Sequence, residues 1–231
     1  MRTLGLIGGL SWESTTEYYR LINQGVRARV GPTASAPLVL WSFDFAPITA
    51  MQHAGDWDGQ AALMADAARR LETAGAEVLV ICSNTMHSLA PAVEAAVALP
   101  LVHIADATAD RIEAAGHTRV ALLGTRFTME RDFLKGRLAA RRGIEVIVPD
   151  ADDRAIVNRV IYEELIAGII RDESRDAYRA VIARLAAQGA QAVILGCTEI
   201  MLLVRPEDSP VPMFDTTAIH AEAIVEACLS A

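Results

Sequence analysis

The chain has 231 residues, 52% of them hydrophobic and 22% charged, with a net charge of −8. That size and apolar content suit an ordinary globular protein with a substantial core, not a disordered chain. The acidic balance supplies no basic stripe to displace counterions from phosphates, which argues against a nucleic-acid partner, and no apolar run is long enough to span a bilayer.

In chain order, Leu4–Ile7 reads as a strand and Ser14–Val30 as a helix; the N-terminal apolar stretch is too short for a signal-peptide core. The turn between them, Gly8-Gly9-Leu10-Ser11-Trp12-Glu13-Ser14-Thr15, brings backbone close to a ligand, but its glycines do not form the dinucleotide pattern. Glu13 and Ser14 read first as parts of a helix start. Val78–Ile81 is a strand and His87–Ala98 a helix; Pro100-Leu101-Val102 leads to Asp106. The second half follows with a strand at Val120–Leu123, the turn Gly124-Thr125-Arg126-Phe127-Thr128, helices at Asp153–Ile170 and Ala177–Gln188, and a strand at Val193–Leu195. Pro210-Val211 leads to Asp215, and a terminal helix rich in Ala, Ile and Val carries Cys228, a core position. Strand runs apolar on both parities belong to parallel sheets covered on both faces, so the fold class is α/β, doubly wound.

An internal repeat organises this alternation. Sliding the chain by 114 residues aligns Arg70-Leu71-Glu72-Thr73-Ala74-Gly75-Ala76 with Arg184-Leu185-Ala186-Ala187-Gln188-Gly189-Ala190. Each copy ends a helix on a glycine and starts an apolar strand, and without a gap Ser83 falls on Cys197. Leu4–Gly8 matches Val120–Gly124 at nearly the same shift. The expectation is two pseudosymmetric parallel-sheet domains: residues 1–105 plus 211–231, carrying Ser83, and residues 106–210, carrying Cys197. Ligands bind beyond the carboxyl ends of parallel strands, so both residues are expected at one active site in the cleft between the domains.

Proton carriers on opposite walls of such a cleft invert a stereocentre: one removes a proton from carbon and the other returns one from the opposite side. A thiol suits the work because backbone N–H groups at a helix start lower its pKa, and Cys197 sits at a strand-to-helix junction. Asn84, Thr85 and Thr198 directly follow the matched pair, where short polar groups and exposed N–H groups hold a carboxylate. Glu199 either orients Cys197 or simply favours the positive end of the next helix. His87 either lines the cleft or bonds a carbonyl, the second being preferred. The three cysteines, Cys82, Cys197 and Cys228, have no metal-type spacing, which makes a disulfide framework or zinc site improbable and a reducing cytoplasm the default.

Gly5-Leu6-Ile7-Gly8-Gly9-Leu10-Ser11-Trp12-Glu13-Ser14-Thr15, Ser83-Asn84-Thr85-Met86-His87 and Leu195-Gly196-Cys197-Thr198-Glu199-Ile200 resemble the aspartate/glutamate racemase superfamily over essentially the whole chain. The resemblance implies two pseudosymmetric α/β domains with a cysteine in each, racemisation without pyridoxal phosphate or metal, a small amino-acid substrate and a homodimer. It implies Ser83 and Cys197 as catalytic positions and Leu10, Ser11, Gln52, Asn84, Thr85, Met86, Thr125, Thr198 and Glu199 as substrate-binding ones. One departure stands out: the family's first cysteine precedes Asn-Thr, where this chain has Ser83. Cys82 is one residue early, and alternation along a strand turns it into the core. In the family the second-half cysteine works on the L-face, so the resemblance implies that Cys197 deprotonates the L-amino acid and Ser83 protonates the other face, the reverse direction being slower. Relatives specific for acidic substrates use basic residues for the side-chain carboxylate; this chain offers Gln52, with Arg126 as a second candidate, and is apolar at Ile166-Ala167-Gly168 where some relatives carry lysine. An arylmalonate-decarboxylase-like enzyme, which needs one cysteine, and a non-catalytic amino-acid sensor are the competing expectations.

Overall fold

The computed structural model describes Met1–Ser230 and divides into two compact units. The first comprises Met1–His103 together with His220 and the residues after it; the second is Ile104–Ile219.

The first unit runs β1 (Leu4–Gly8), α1 (Trp12–Val30), β2 (Leu38–Ser42), α2 (Phe45–Ala54), α3 (Trp57–Thr73), β3 (Val78–Ile81), a 3-10 turn (Thr85–Leu89), α4 (Ala90–Ala96) and β4 (Leu101–Val102). All pairings are parallel, in the order β2-β1-β3-β4. Alternation along β3 splits its side chains between two cores. Leu79 and Ile81 pack with Ile48, Met64, Leu71 and Val93 from α2, α3 and α4. Val78, Val80 and the following Cys82 pack with Tyr18, Ile22 and Val26 of α1 and with Ile224, Val225 and Cys228 of the terminal helix.

The second unit runs α5 (Ile104–Ala114), β5 (Arg119–Gly124), α6 (Arg126–Glu130), α7 (Asp132–Arg142), β6 (Glu145–Ile147), α8 (Ala151–Glu163), α9 (Asp172–Ala187), β7 (Val193–Gly196), α10 (Ile200–Leu203), β8 (Met213–Asp215) and the start of α11 (Thr216–Leu229). Its parallel order, β6-β5-β7-β8, repeats that of the first sheet. Val193 and Leu195 pack against α8 and α9 on one face, and Ile194 against α5 and α7 on the other. This is the doubly wound α/β architecture expected from the apolar strand runs. The terminal part of that expectation differs in detail: β8 pairs with β7, so residues 211–219 stay with the second unit and the chain returns to the first inside α11.

The repeat survives at atomic detail. After α3, Gly75 has φ +91°, its N–H bonds Glu72 O at 3.0 Å, and Ala76 N–H bonds Leu71 O at 3.0 Å. After α9, Gly189 has φ +94°, bonding Ala186 O at 2.9 Å, with Ala190 N–H on Leu185 O at 3.1 Å. These are matching Schellman caps, each satisfying carbonyls that the helix end leaves over and each feeding one of the two central strands of its sheet.

Two expected helices are interrupted. The stretch from His87 begins as a 3-10 turn, and α4 starts only at Ala90 with Pro91 in its first turn, where the missing N–H does no harm. The stretch from Asp153 to Ile170 stops at Glu163; a 3-10 turn, Leu165–Ala167, ends on Gly168 at φ +71°. Glu164, buried there, accepts from Ser174 Oγ at 2.6 Å and Arg159 Nη1 at 2.8 Å.

Candidate active site

In the second unit β7 ends at Gly196 and delivers Cys197, half-buried against the core formed by α8 and α9. Its Sγ donates to Glu199 Oε2 at 3.0 Å, so of the two roles open to Glu199 the geometry gives it the one toward the thiol. The N–H groups of Thr198 and Glu199 lower the thiol's pKa, as expected at such a junction, but burial and the Glu199 carboxylate outweigh them and push it well above the usual range. The correction is physical: a buried thiolate beside a carboxylate is disfavoured by desolvation and like charge together. The resting pair is a thiol donating to a carboxylate.

Around this pair, Thr198 Oγ1 lies 3.1 Å from Thr217 Oγ1, and Thr217 is fixed by its own N–H on Asp215 Oδ1 at 2.9 Å. Thr125 caps α6, its Oγ1 accepting from Thr128 N–H at 3.3 Å. Tyr162, near the end of α8, shares the Cys197 environment, and burial chiefly pushes its phenol up to about 12. In sequence a tyrosine inside an apolar helix looks like core; its four-residue spacing from Asn158, which accepts from Arg126 N–H at 2.8 Å, is the available signal. Arg126 itself is exposed, lying 3.9 Å from Glu130. Ile166 packs against the Cys197 core and keeps that wall apolar.

In the first unit β3 ends at Ile81. Cys82 is fully buried in the α1 and α11 core, where burial drives its thiol far up, as alternation predicts. Ser83 is half-buried; its Oγ accepts from Met86 N–H at 3.4 Å, and its carbonyl accepts from His87 Nδ1 at 2.6 Å. His87 thus bonds a carbonyl, as preferred. Asn84 and Thr85 follow in the turn and are buried. Gln52, buried on α2, donates Nε2–H to Met86 Sδ at 3.4 Å, which joins it to this turn. Leu10 and Met86 sit in the hydrophobic core, so their side chains serve packing.

Ser11 is the one non-glycine residue with positive φ among those described, at +99°, a conformation that costs on the order of 1–3 kcal/mol. Its Oγ accepts from Ser14 N–H at 3.3 Å and donates to Glu13 Oε2 at 2.9 Å, so Glu13 and Ser14 do form a helix start. At Gly9, φ +70°, a Cβ would stand 2.2 Å from Phe43 O, so the glycine there makes room for the protein's own chain.

With this geometry in place the comparisons with known proteins are specific. The model of the Asp/Glu/hydantoin racemase family matches residues 7–224. The chain belongs to that family. A Yersinia pestis protein described as a presumed Asp/Glu racemase is 57% identical with a TM-score of 0.94, both chains covered in full. An aspartate racemase homologue from Pyrococcus horikoshii OT3 is 33% identical with a TM-score of 0.86, again over 100% of both. The broad specificity amino-acid racemase RacX of Bacillus subtilis (strain 168) is 25% identical over 178 residues, 76% of this chain and 75% of the relative. The enzyme class expected from the motifs, an amino-acid racemase, is the class of this family.

Proposed function

We propose that this family member racemises a small amino acid, aspartate or glutamate, by 1,1-proton transfer with Cys197 as base on the L-face and Ser83 as donor to the other face. The observation that carries the reading is the Cys197 Sγ–H···Glu199 Oε2 hydrogen bond of 3.0 Å. Glu199 takes the thiol proton, and the thiolate removes the α-proton, its electron pair remaining on carbon. Ser83 then gives its hydroxyl proton to the opposite face, and exchange with water returns the proton to Ser83 and restores the Cys197–Glu199 pair.

The two carriers are unequal by chemistry. Met86 N–H on Ser83 Oγ steadies the oxygen as it loses its proton, which suits a donor. A hydroxyl has no comparable means to act as a base, because its pKa lies far above a thiol's. D-to-L turnover, which needs that base, is slower than L-to-D. Asn84, Thr85, Thr125 and Thr198 offer the polar groups for the substrate's carboxylates, with Gln52 beside the Ser83 turn.

The test is α-proton exchange in deuterated water, with initial rates from both enantiomers of aspartate and glutamate. Deuterium entering the L-substrates, abolished by Cys197→Ala, is the expected result. Binding with no exchange, or D-to-L turnover faster than L-to-D, contradicts the scheme.

A further inference from the structure

Three histidines of the first unit that the proton-transfer scheme leaves unused lie together. The ring centre of His87 is 4.7 Å from that of His103, just past β4, and 5.4 Å from that of His220 in α11. Both neighbours meet it edge-on, at 61° and 69°. All three are buried, His87 being 1% and His220 0% exposed. A carbonyl can only accept, so His220 donates Nε2–H to Val102 O at 2.8 Å and its Nδ1 accepts from Tyr18 O–H at 2.9 Å. Burial keeps this imidazole neutral, and the two bonds leave it one tautomer and one orientation.

By the same reasoning His87 carries its proton on Nδ1 and donates it to the Ser83 carbonyl at 2.6 Å. Residues from α1, from the end of β4 and from α11 thus brace a ring whose Nδ1–H bond reaches the peptide of Ser83. That peptide carries the hydroxyl standing where the family's first cysteine would be. A proton donor must be aimed within a fraction of an ångström, and among the described residues the Ser83 side chain is otherwise held only by the 3.4 Å bond from Met86 N–H.

We infer that His87 is a positioning residue for Ser83: braced by His103 and His220, it holds the Ser83 carbonyl through Nδ1–H and so aims the Ser83 hydroxyl at the reacting carbon. The inference rests on the two-base reading above. His87 touches no reacting atom; it works through the backbone of the donor, and its loss acts on delivery of the second proton while leaving removal of the first to Cys197.

The experiment uses the full chain with L-aspartate and L-glutamate in deuterated water and measures two products in one reaction. Deuterated L-substrate reports deprotonation and return on the Cys197 face; deuterated D-product reports delivery from Ser83. Their ratio does not depend on how much enzyme is folded. His87→Leu lowers inversion relative to retained exchange by about tenfold or more. His87→Asn, whose amide nitrogen takes the place of Nδ1, restores most of it, and His87→Gln, which places its nitrogen where Nε2 stood, does not. Should His87→Leu fail to fold, the Asn and Gln variants carry the same contrast. A ratio unchanged in these variants, with exchange intact, overturns this inference alone. No exchange in the unaltered protein overturns the two-base reading and this inference with it.

Discussion

Acid should weaken the first unit through His220. The side chain is fully buried, and burial lowers its pKa from 6.5 to about 4, with His103 adding to the fall and the bond to Val102 opposing it. Since the folded value lies below the unfolded one, the unfolded chain binds the extra proton between them. Stability from this group is therefore complete above about pH 6.5 and is lost as pH falls toward 4. At pH 5 the unfolded imidazole is favoured by protonation by a factor of about 30, which is about 2 kcal/mol; the whole span is worth about 3 kcal/mol. The three tryptophans, Trp12, Trp41 and Trp57, all lie in the first unit, so urea unfolding followed by tryptophan fluorescence reads the unit that holds His220. Relative to His220→Gln, which keeps an N–H for Val102 O but cannot titrate, the unaltered protein should lose about 2 kcal/mol between pH 7 and pH 5. A difference that stays flat across that range would refute the assignment of a buried neutral imidazole.

Other outcomes follow from single contacts. Glu199→Gln removes the acceptor of the Cys197 proton and the charge that raises its pKa, so iodoacetamide alkylation of Cys197 should shift to lower pH while α-proton exchange falls by about a hundredfold; exchange at the original rate would remove Glu199 from the scheme. Ser83→Cys installs a group able to act as a base and should raise D-to-L turnover, narrowing the gap between the two directions in a polarimetric assay. Gly9→Ala forces a Cβ to 2.2 Å from Phe43 O at a φ of +70° and should destabilise the first unit by several kcal/mol in the fluorescence assay. Cys82→Ala should leave exchange intact and cost about 1–2 kcal/mol, because Cys82 faces the α1 and α11 core; loss of exchange without unfolding would place that thiol in the chemistry after all.

The parallel, doubly wound α/β class was legible because four central strands are apolar on both parities, and such runs need cover on both faces. The edge strands β2 and β6 were not. Leu38–Ser42 and Glu145–Ile147 are short and partly exposed, so their strand character comes from pairing with β1 and β5, not from their own pattern. The return of the terminal helix to the first unit was legible, but its point of return inside α11 was not, since β8 is three residues long and its pairing with β7 is what keeps it in the second unit.

The sequence by itself determined the two similar halves, the register that sets Ser83 on Cys197, and the inward turn of Cys82. Each follows from local rules: a glycine after a helix takes the left-handed turn, and neighbours on a strand face opposite ways. Only tertiary structure decided the electrostatics of Cys197, because a thiol's pKa depends on burial and on where the Glu199 carboxylate turns, and neither is written in the order of residues. Tertiary structure also decided the role of the histidines. His87, His103 and His220 are far apart along the chain, and nothing local in their surroundings announces that the packing of α1, β4 and α11 brings their rings together beside Ser83.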